Sequence, residues 1–159
     1  MLEQSTRVHA SRRFGPGVDT EFHIDHDWWA NSNLDYRFHL YQQLCDECRQ
    51  RFRTHVDTEE VDWVDAETGE VRRVDALTEC LRVNCTHQPD FIDDTLPLTA
   101  ACFRVFLSND NRPLSPTELS GIFEQSGASR RSHWTPKEIL RILNGKQVFL
   151  GIRPAPAAH

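Results

Sequence analysis

No stretch of this chain approaches the roughly 18 consecutive apolar residues that a membrane-crossing helix needs. The amino terminus, "MLEQSTRVHASRRFGPGVDTE", has basic residues with no apolar run behind them, so no secretory leader is expected and the expected setting is cytoplasmic. The seven glycines are scattered and build no phosphate-cradling loop. No H-E-x-x-H spacing occurs, and sequence order alone assembles no Ser-His-Asp arrangement. Hydrophobic residues make up 38% of 159, enough for one compact domain or two small ones but not for a large cavity-bearing enzyme core. These absences point away from a membrane protein and from a nucleotide-binding enzyme, and leave no small-molecule substrate evident.

The net charge of −6 is unevenly placed. Residues 1–103 carry ten Lys/Arg against twenty Asp/Glu, and residues 104–159 carry eight against four. An acidic body with a basic end can orient a molecule on nucleic acid or on an acidic protein surface.

Five cysteines are present: Cys45, Cys48, Cys80, Cys85 and Cys102. The odd count and the lack of a leader argue against a disulfide framework, which leaves metal binding or burial. From about Asn33 to Arg53, a span that includes "LYQQLCDECRQRF", Leu34, Phe38, Tyr41, Cys45, Cys48 and Phe52 advance by four, three, four, three, four. This spacing predicts one long amphipathic helix over 33–53, with both sulfurs on one face. The alternation in "EEVDWVDAETGEVRRVDAL" predicts a β-hairpin turning at Gly69. A short helix is expected from Ala76 to Asn84, capped by Asp75.

Zinc favours four thiolate or imidazole ligands in a tetrahedron. Cys45 and Cys48 form the first pair. Cys80 and Cys85 are the preferred second pair, with His87 in "CTH" as the alternative fourth ligand to Cys80. On a continuous helix Cys80 and Cys85 lie roughly 140° apart, so sharing one ion requires the helix to end near Asn84. A site closed by four protein ligands is structural, because no position remains for a water to be activated. A thioredoxin-like redox pair fits less well, since helical residues would precede Cys45 and Asp46 and Glu47 disfavour a thiolate. Burial of all five thiols as small apolar residues is the bland alternative.

"FHIDHD" gathers His23, Asp25, His26 and Asp27, with Asp35 and His39 one helical turn apart downstream. A metal-dependent enzyme built on residues 23–39 is the rival reading. The simpler one is a surface cluster that caps the next helix.

"PLTAACFRVFLSN" predicts a buried helix containing Cys102. "SPTE" at 115–118 and "TPKE" at 135–138 each offer a cap, a first-turn proline and a capping-box glutamate. "QVFLGI" reads as a closing strand. On these residues the segment 96–153 resembles a winged helix-turn-helix domain. That resemblance implies a third helix, over 136–144, able to lie in a DNA groove, with Lys137 and Arg141 on it and Arg130 and Arg131 before it. About ten residues separate its second and third helices and a single strand follows, which favours protein contact or packing over base reading.

The expectation is therefore a mainly helical α+β protein: a flexible arm (1–20), a zinc-stapled helix–hairpin–helix module (21–95), a winged-helix-like module (96–154) and a tail (155–159). Its expected role is a non-enzymatic binding or regulatory module, contacting nucleic acid or a larger protein assembly through Arg130, Arg131, Lys137, Arg141 and Lys146.

Overall fold

The computed structural model describes residues 15–56, 60–126 and 134–156. These fall into two compact units, one made of residues up to Trp28 together with those from Ile92 onward, the other of Trp29–Phe91. The described residues form seven α-helices and two two-stranded antiparallel sheets, an α+β architecture.

The first unit opens with strand β1 (Phe22–Ile24). Helix α1 (His26–Asn31) follows, belonging to this unit up to Trp28 and to the second from Trp29, its start capped by Asp25, whose carboxylate accepts from the Asp27 and Trp28 amides. The chain returns to this unit with α5 (Leu98–Ser108), α6 (Pro116–Ser126), α7 (Pro136–Leu143) and strand β4 (Ile152–Pro154). Both expected capping boxes form. Thr135 and Glu138 exchange bonds at the start of α7, and Ser115 and Glu118 do so at the start of α6. Each satisfies amides that a helix start leaves without partners.

The closing strand begins later than expected, because Leu150 (φ 53°) and Gly151 (φ 71°) turn the chain first. Its partner is β1, paired Phe22↔Pro154, His23↔Arg153 and Ile24↔Ile152. A wing hairpin made from neighbouring sequence is therefore not what this strand builds. Asn111, itself left-handed (φ 56°), holds the other side of β1: its Oδ1 accepts from the Ile24 amide at 2.8 Å and its Nδ2 donates to the Ile24 carbonyl at 2.9 Å. Of the expected flexible arm, residues 1–14 lie outside the described residues. Residues 17–20 form a turn whose Val18 carbonyl accepts from the Thr117 amide at 3.1 Å, so this part is fastened to α6.

The second unit contains α2 (Tyr36–Gln42), α3 (Asp46–Arg51), the hairpin β2 (Glu60–Val64) and β3 (Val71–Asp75), α4 (Ala76–Val83) and a 3-10 turn (Cys85–His87). The expected hairpin forms, with Val64 opposite Val71 and Gly69 at φ 73° in the turn. Asp75 caps α4 as expected, accepting from the Leu77 and Thr78 amides. Arg37 forms an ion pair with Asp75, tying α2 to that junction.

The single long helix expected over 33–53 is instead two helices. The Gln43 amide donates to the Leu40 carbonyl and the Leu44 amide to the Tyr41 carbonyl, both closing at three residues rather than four. That tightening ends α2. Cys45 then adopts an extended conformation (φ −70°, ψ 166°) and starts α3. The buried side chains are Leu40, Leu44 and Cys48, whereas Leu34 and Phe38 of the expected apolar face are exposed.

Candidate metal centre

Three segments of the second unit bring four cysteines together. Cys45 and Cys48 come from the start and first turn of α3, Cys80 from α4, and Cys85 from the turn after it. Ending α2 at Gln42 is what makes this geometry available. In an unbroken helix the Cys45 amide would bond to the Tyr41 carbonyl; here that carbonyl takes the Leu44 amide, and the Cys45 amide donates to Cys85 Sγ at 3.1 Å. On the other side, α4 ends at Val83 and Asn84 closes it. The chain turns at once, which moves Cys85 off the helical path that would have separated it from Cys80.

The ligand sulfurs of Cys45, Cys48 and Cys85 lie within 4.8 Å of one another, close enough to hold a metal ion. Cys85 Sγ is 3.6 Å from Cys48 Sγ. Cys48 Sγ is joined to Cys80 Sγ in a disulfide, with 6.1 Å between the two Cα atoms. The expectation is of no disulfide framework, with metal binding or burial accounting for the cysteines; one pair nevertheless closes, and Cys45, Cys85 and Cys102 stay outside it. Cys48, Cys80 and Cys85 are buried and Cys45 is half-buried.

Both donors and an acceptor surround these sulfurs. Asn84 Nδ2 sits 3.4 Å from Cys80 Sγ and 3.8 Å from Cys48 Sγ. Arg51 Nη1 lies 4.0 Å from Cys80 Sγ while its other nitrogen pairs with Glu47. The Cys80 carbonyl oxygen lies 3.3 Å from Cys48 Sγ. Sequence reading located Asn84 only as a helix end, and nothing in the sequence marked Arg51.

The other proposed ligands fall elsewhere. His87 is exposed at the end of the 3-10 turn and stands outside the cysteine group. Cys102 lies in the first unit, wholly enclosed in α5, where burial pushes its thiol well above the usual range and keeps it protonated. The premise used against a redox pair also changes, since Cys45 begins a helix rather than following eleven helical residues.

Three of the acidic and histidine residues of 23–39, Asp25, Asp35 and His39, have structural partners. Asp25 caps α1 and lies 3.8 Å from Arg153. Asp35 caps α2 and accepts from His55 Nε2 at 2.9 Å. The His39 ring packs against Trp29 and Phe38. Among the described residues, the cysteines are the one group of three or more side chains placed to share an ion.

Of the expected basic contact residues, Lys137 and Arg141 are exposed one turn apart on α7, and Lys146 is exposed beyond its end. Arg130 and Arg131 lie outside the described residues. The described residues include no helix long and apolar enough to cross a membrane. Compared with known proteins, the chain matches no family model, no curated protein and no solved structure.

Proposed function

We propose that this chain is a non-enzymatic binding module whose Trp29–Phe91 unit is held together by a zinc ion on Cys45, Cys48, Cys80 and Cys85. The observation that carries this reading is the convergence of the Cys45, Cys48 and Cys85 sulfurs, with that of Cys80 adjoining Cys48, from three segments that also bring N–H donors to them. A disulfide sulfur or a neutral thiol is a weak acceptor, so an amide and a guanidinium aimed at the cluster suit thiolates, the form that binds metal. Zinc prefers sulfur and tetrahedral coordination, and four protein ligands leave no open position for catalysis. Cys80 serves as fourth ligand in preference to His87 because its sulfur already adjoins that of Cys48.

The reduced protein should bind one zinc per chain. Cobalt in its place should give the intense sulfur-to-metal absorption and strong visible bands of a tetrahedral thiolate site. Reduced protein that takes up neither ion would end this reading.

The partner in this proposal meets the basic end of the chain. Support comes from the excess of positive charge after residue 103 and from the exposure of Lys137, Arg141 and Lys146. The winged-helix resemblance of residues 96–153 favours nucleic acid, and the long connection between its helices favours a protein assembly. Titration of labelled duplex at several salt concentrations separates them. Phosphate contacts give an affinity that falls steeply with salt, and Lys137→Ala should reduce that slope by about one. No binding at low salt leaves the protein assembly.

A further inference from the structure

We infer that the cysteine cluster is a two-state redox switch: four thiolates hold zinc, and two-electron oxidation by a peroxide joins Cys48 to Cys80 and releases the metal. The inference rests on the zinc reading above and adds what the site responds to. It stands on one juxtaposition, that a Cys48–Cys80 disulfide and two cysteines outside it, Cys45 and Cys85, occupy the same cluster that four zinc ligands would.

In the disulfide state Cys45 and Cys85 remain in place, with the Cys45 amide on Cys85 Sγ and Cys85 Sγ 3.6 Å from Cys48 Sγ. The helix break at Gln43–Cys45 and the turn at Asn84 therefore serve both states. The states differ by two electrons and one cation, without a change of fold. Two remaining thiols are too few for zinc, which needs four donors in a structural site, so closing the disulfide removes half of the ligands and the ion leaves.

Cys80 is the sulfur placed to react first. It keeps 6% of its surface exposed, whereas Cys48 has none, and it has both the Arg51 guanidinium and the Asn84 amide beside it. A cation beside that sulfur stabilises the hydroxide that leaves as the S–O bond forms. The Cys80 thiolate attacks one peroxide oxygen; the S–O bond forms, the O–O bond breaks, and the second oxygen leaves as hydroxide. The Cys48 thiolate then attacks the Cys80 sulfur; the S–S bond forms and a second hydroxide leaves. Two thiolates lose two electrons, the peroxide gains them, and zinc departs as the free dication. A dithiol reverses the change by exchange, restoring both thiolates.

The test uses the full chain, reduced and loaded with zinc, then treated with one equivalent of hydrogen peroxide. Zinc is read with a chromogenic chelator and disulfides by peptide mass mapping. The expected result is one zinc released per Cys48–Cys80 disulfide, with recovery after dithiothreitol and added zinc. Arg51→Ala, read on the protein that has loaded zinc, should release it several-fold more slowly; Glu47→Ala, which removes only the neighbouring ion pair, should not slow release. Zinc retained after oxidation, or lost with a different pair joined, overturns the switch while leaving the zinc reading intact. An unchanged rate in Arg51→Ala overturns Cys80 as the first sulfur attacked. Reduced protein that never loads zinc overturns the underlying reading instead.

Discussion

The two units are stabilised by different means. In the first, Phe22, Phe103, Phe106 and Phe123 are all fully enclosed, along with Ile24, Leu119, Ile139 and Ile152. Each such side chain contributes roughly 1.5–3 kcal/mol through burial, and the aromatic ones cover the most area. In the second, the fully enclosed large apolar side chains are Leu40, Leu77 and Leu81, and the other buried residues are Trp29, Leu44, Ala76 and Phe91 together with Cys48, Cys80 and Cys85. Among the described residues, the seven exposed large hydrophobics also fall there: Leu34, Phe38, Val56, Val61, Val64, Val71 and Val83. A unit this short buries too little apolar surface to stand easily on packing alone, which is where a metal or a cross-link contributes most.

The strongest challenge to that contrast is to remove both staples. With the disulfide reduced and zinc chelated, the second unit should unfold, because structural zinc is worth on the order of 10 kcal/mol and a disulfide about 2–5 kcal/mol. Hydrogen exchange should show the amides of α4 losing protection while those of α6 keep theirs. Persisting protection in α4 would mean that leucine packing suffices and that the cysteines are dispensable. The converse change is Phe106→Ala, which empties an enclosed aromatic site and should cost the first unit about 3–5 kcal/mol. Zinc stoichiometry in that variant should stay at one per chain; a fall would show that the cluster depends on the aromatic core.

Much of this organisation is legible in the sequence where the signal is local. Asp75, Thr135 and Ser115 announce helix starts because a cap acts within three residues of itself, and Gly69 announces a turn because few other residues adopt its positive φ so readily. The pairing of Cys45 with Cys48 and their approach to Cys85 were also readable, given an end to the helix at Asn84. What misled was periodicity. A three-four spacing of apolar residues runs unbroken through Gln43–Cys45, yet the bonds that close α2 there are decided by where Cys85 lies, 40 residues away. The pairing of β1 with β4 was hidden for the same reason: "FHI" is three residues long and its partner comes 128 positions later at Ile152. Asn111, which bonds both polar groups of Ile24, left no sequence signal beyond its residue type.

A smaller effect bears on the second unit at high pH. Burial raises the phenol of Tyr36 from 10.0 to about 12, against the opposing charge of Arg37. The folded state thus holds the Tyr36 proton more tightly than the unfolded chain does. Its stability should be unaffected below pH 10 and should decline as pH rises from 10 towards 12, by roughly 2–3 kcal/mol at most. With only two tyrosines in the chain, ultraviolet titration should resolve a late step, and Tyr36→Phe should abolish it. The Trp29 ring, 5.3 Å from Tyr36, supplies a fluorescence signal for the same change. A single ordinary step would show that water reaches Tyr36 and that this part of the unit is looser than its packing suggests.

The smallest expected effect tests the first unit at its edge. Thr135 Oγ1 accepts from the Glu138 amide at 3.2 Å, and the Glu138 carboxylate accepts in turn from the Thr135 amide at 3.4 Å. Thr135→Ala removes the first of these bonds, leaves the amide of Glu138 to water, and should cost about 1 kcal/mol. For a unit of this size that lowers the melting temperature by about 4–8 °C. Because Ile139 and Leu143 anchor α7 by burial, the helix should remain formed, so circular dichroism before melting should be unchanged. A loss of helical signal at low temperature would instead mean that the cap, and not the apolar face, is what establishes α7. The first unit's reliance on packing would then fail at the helix that carries Lys137 and Arg141.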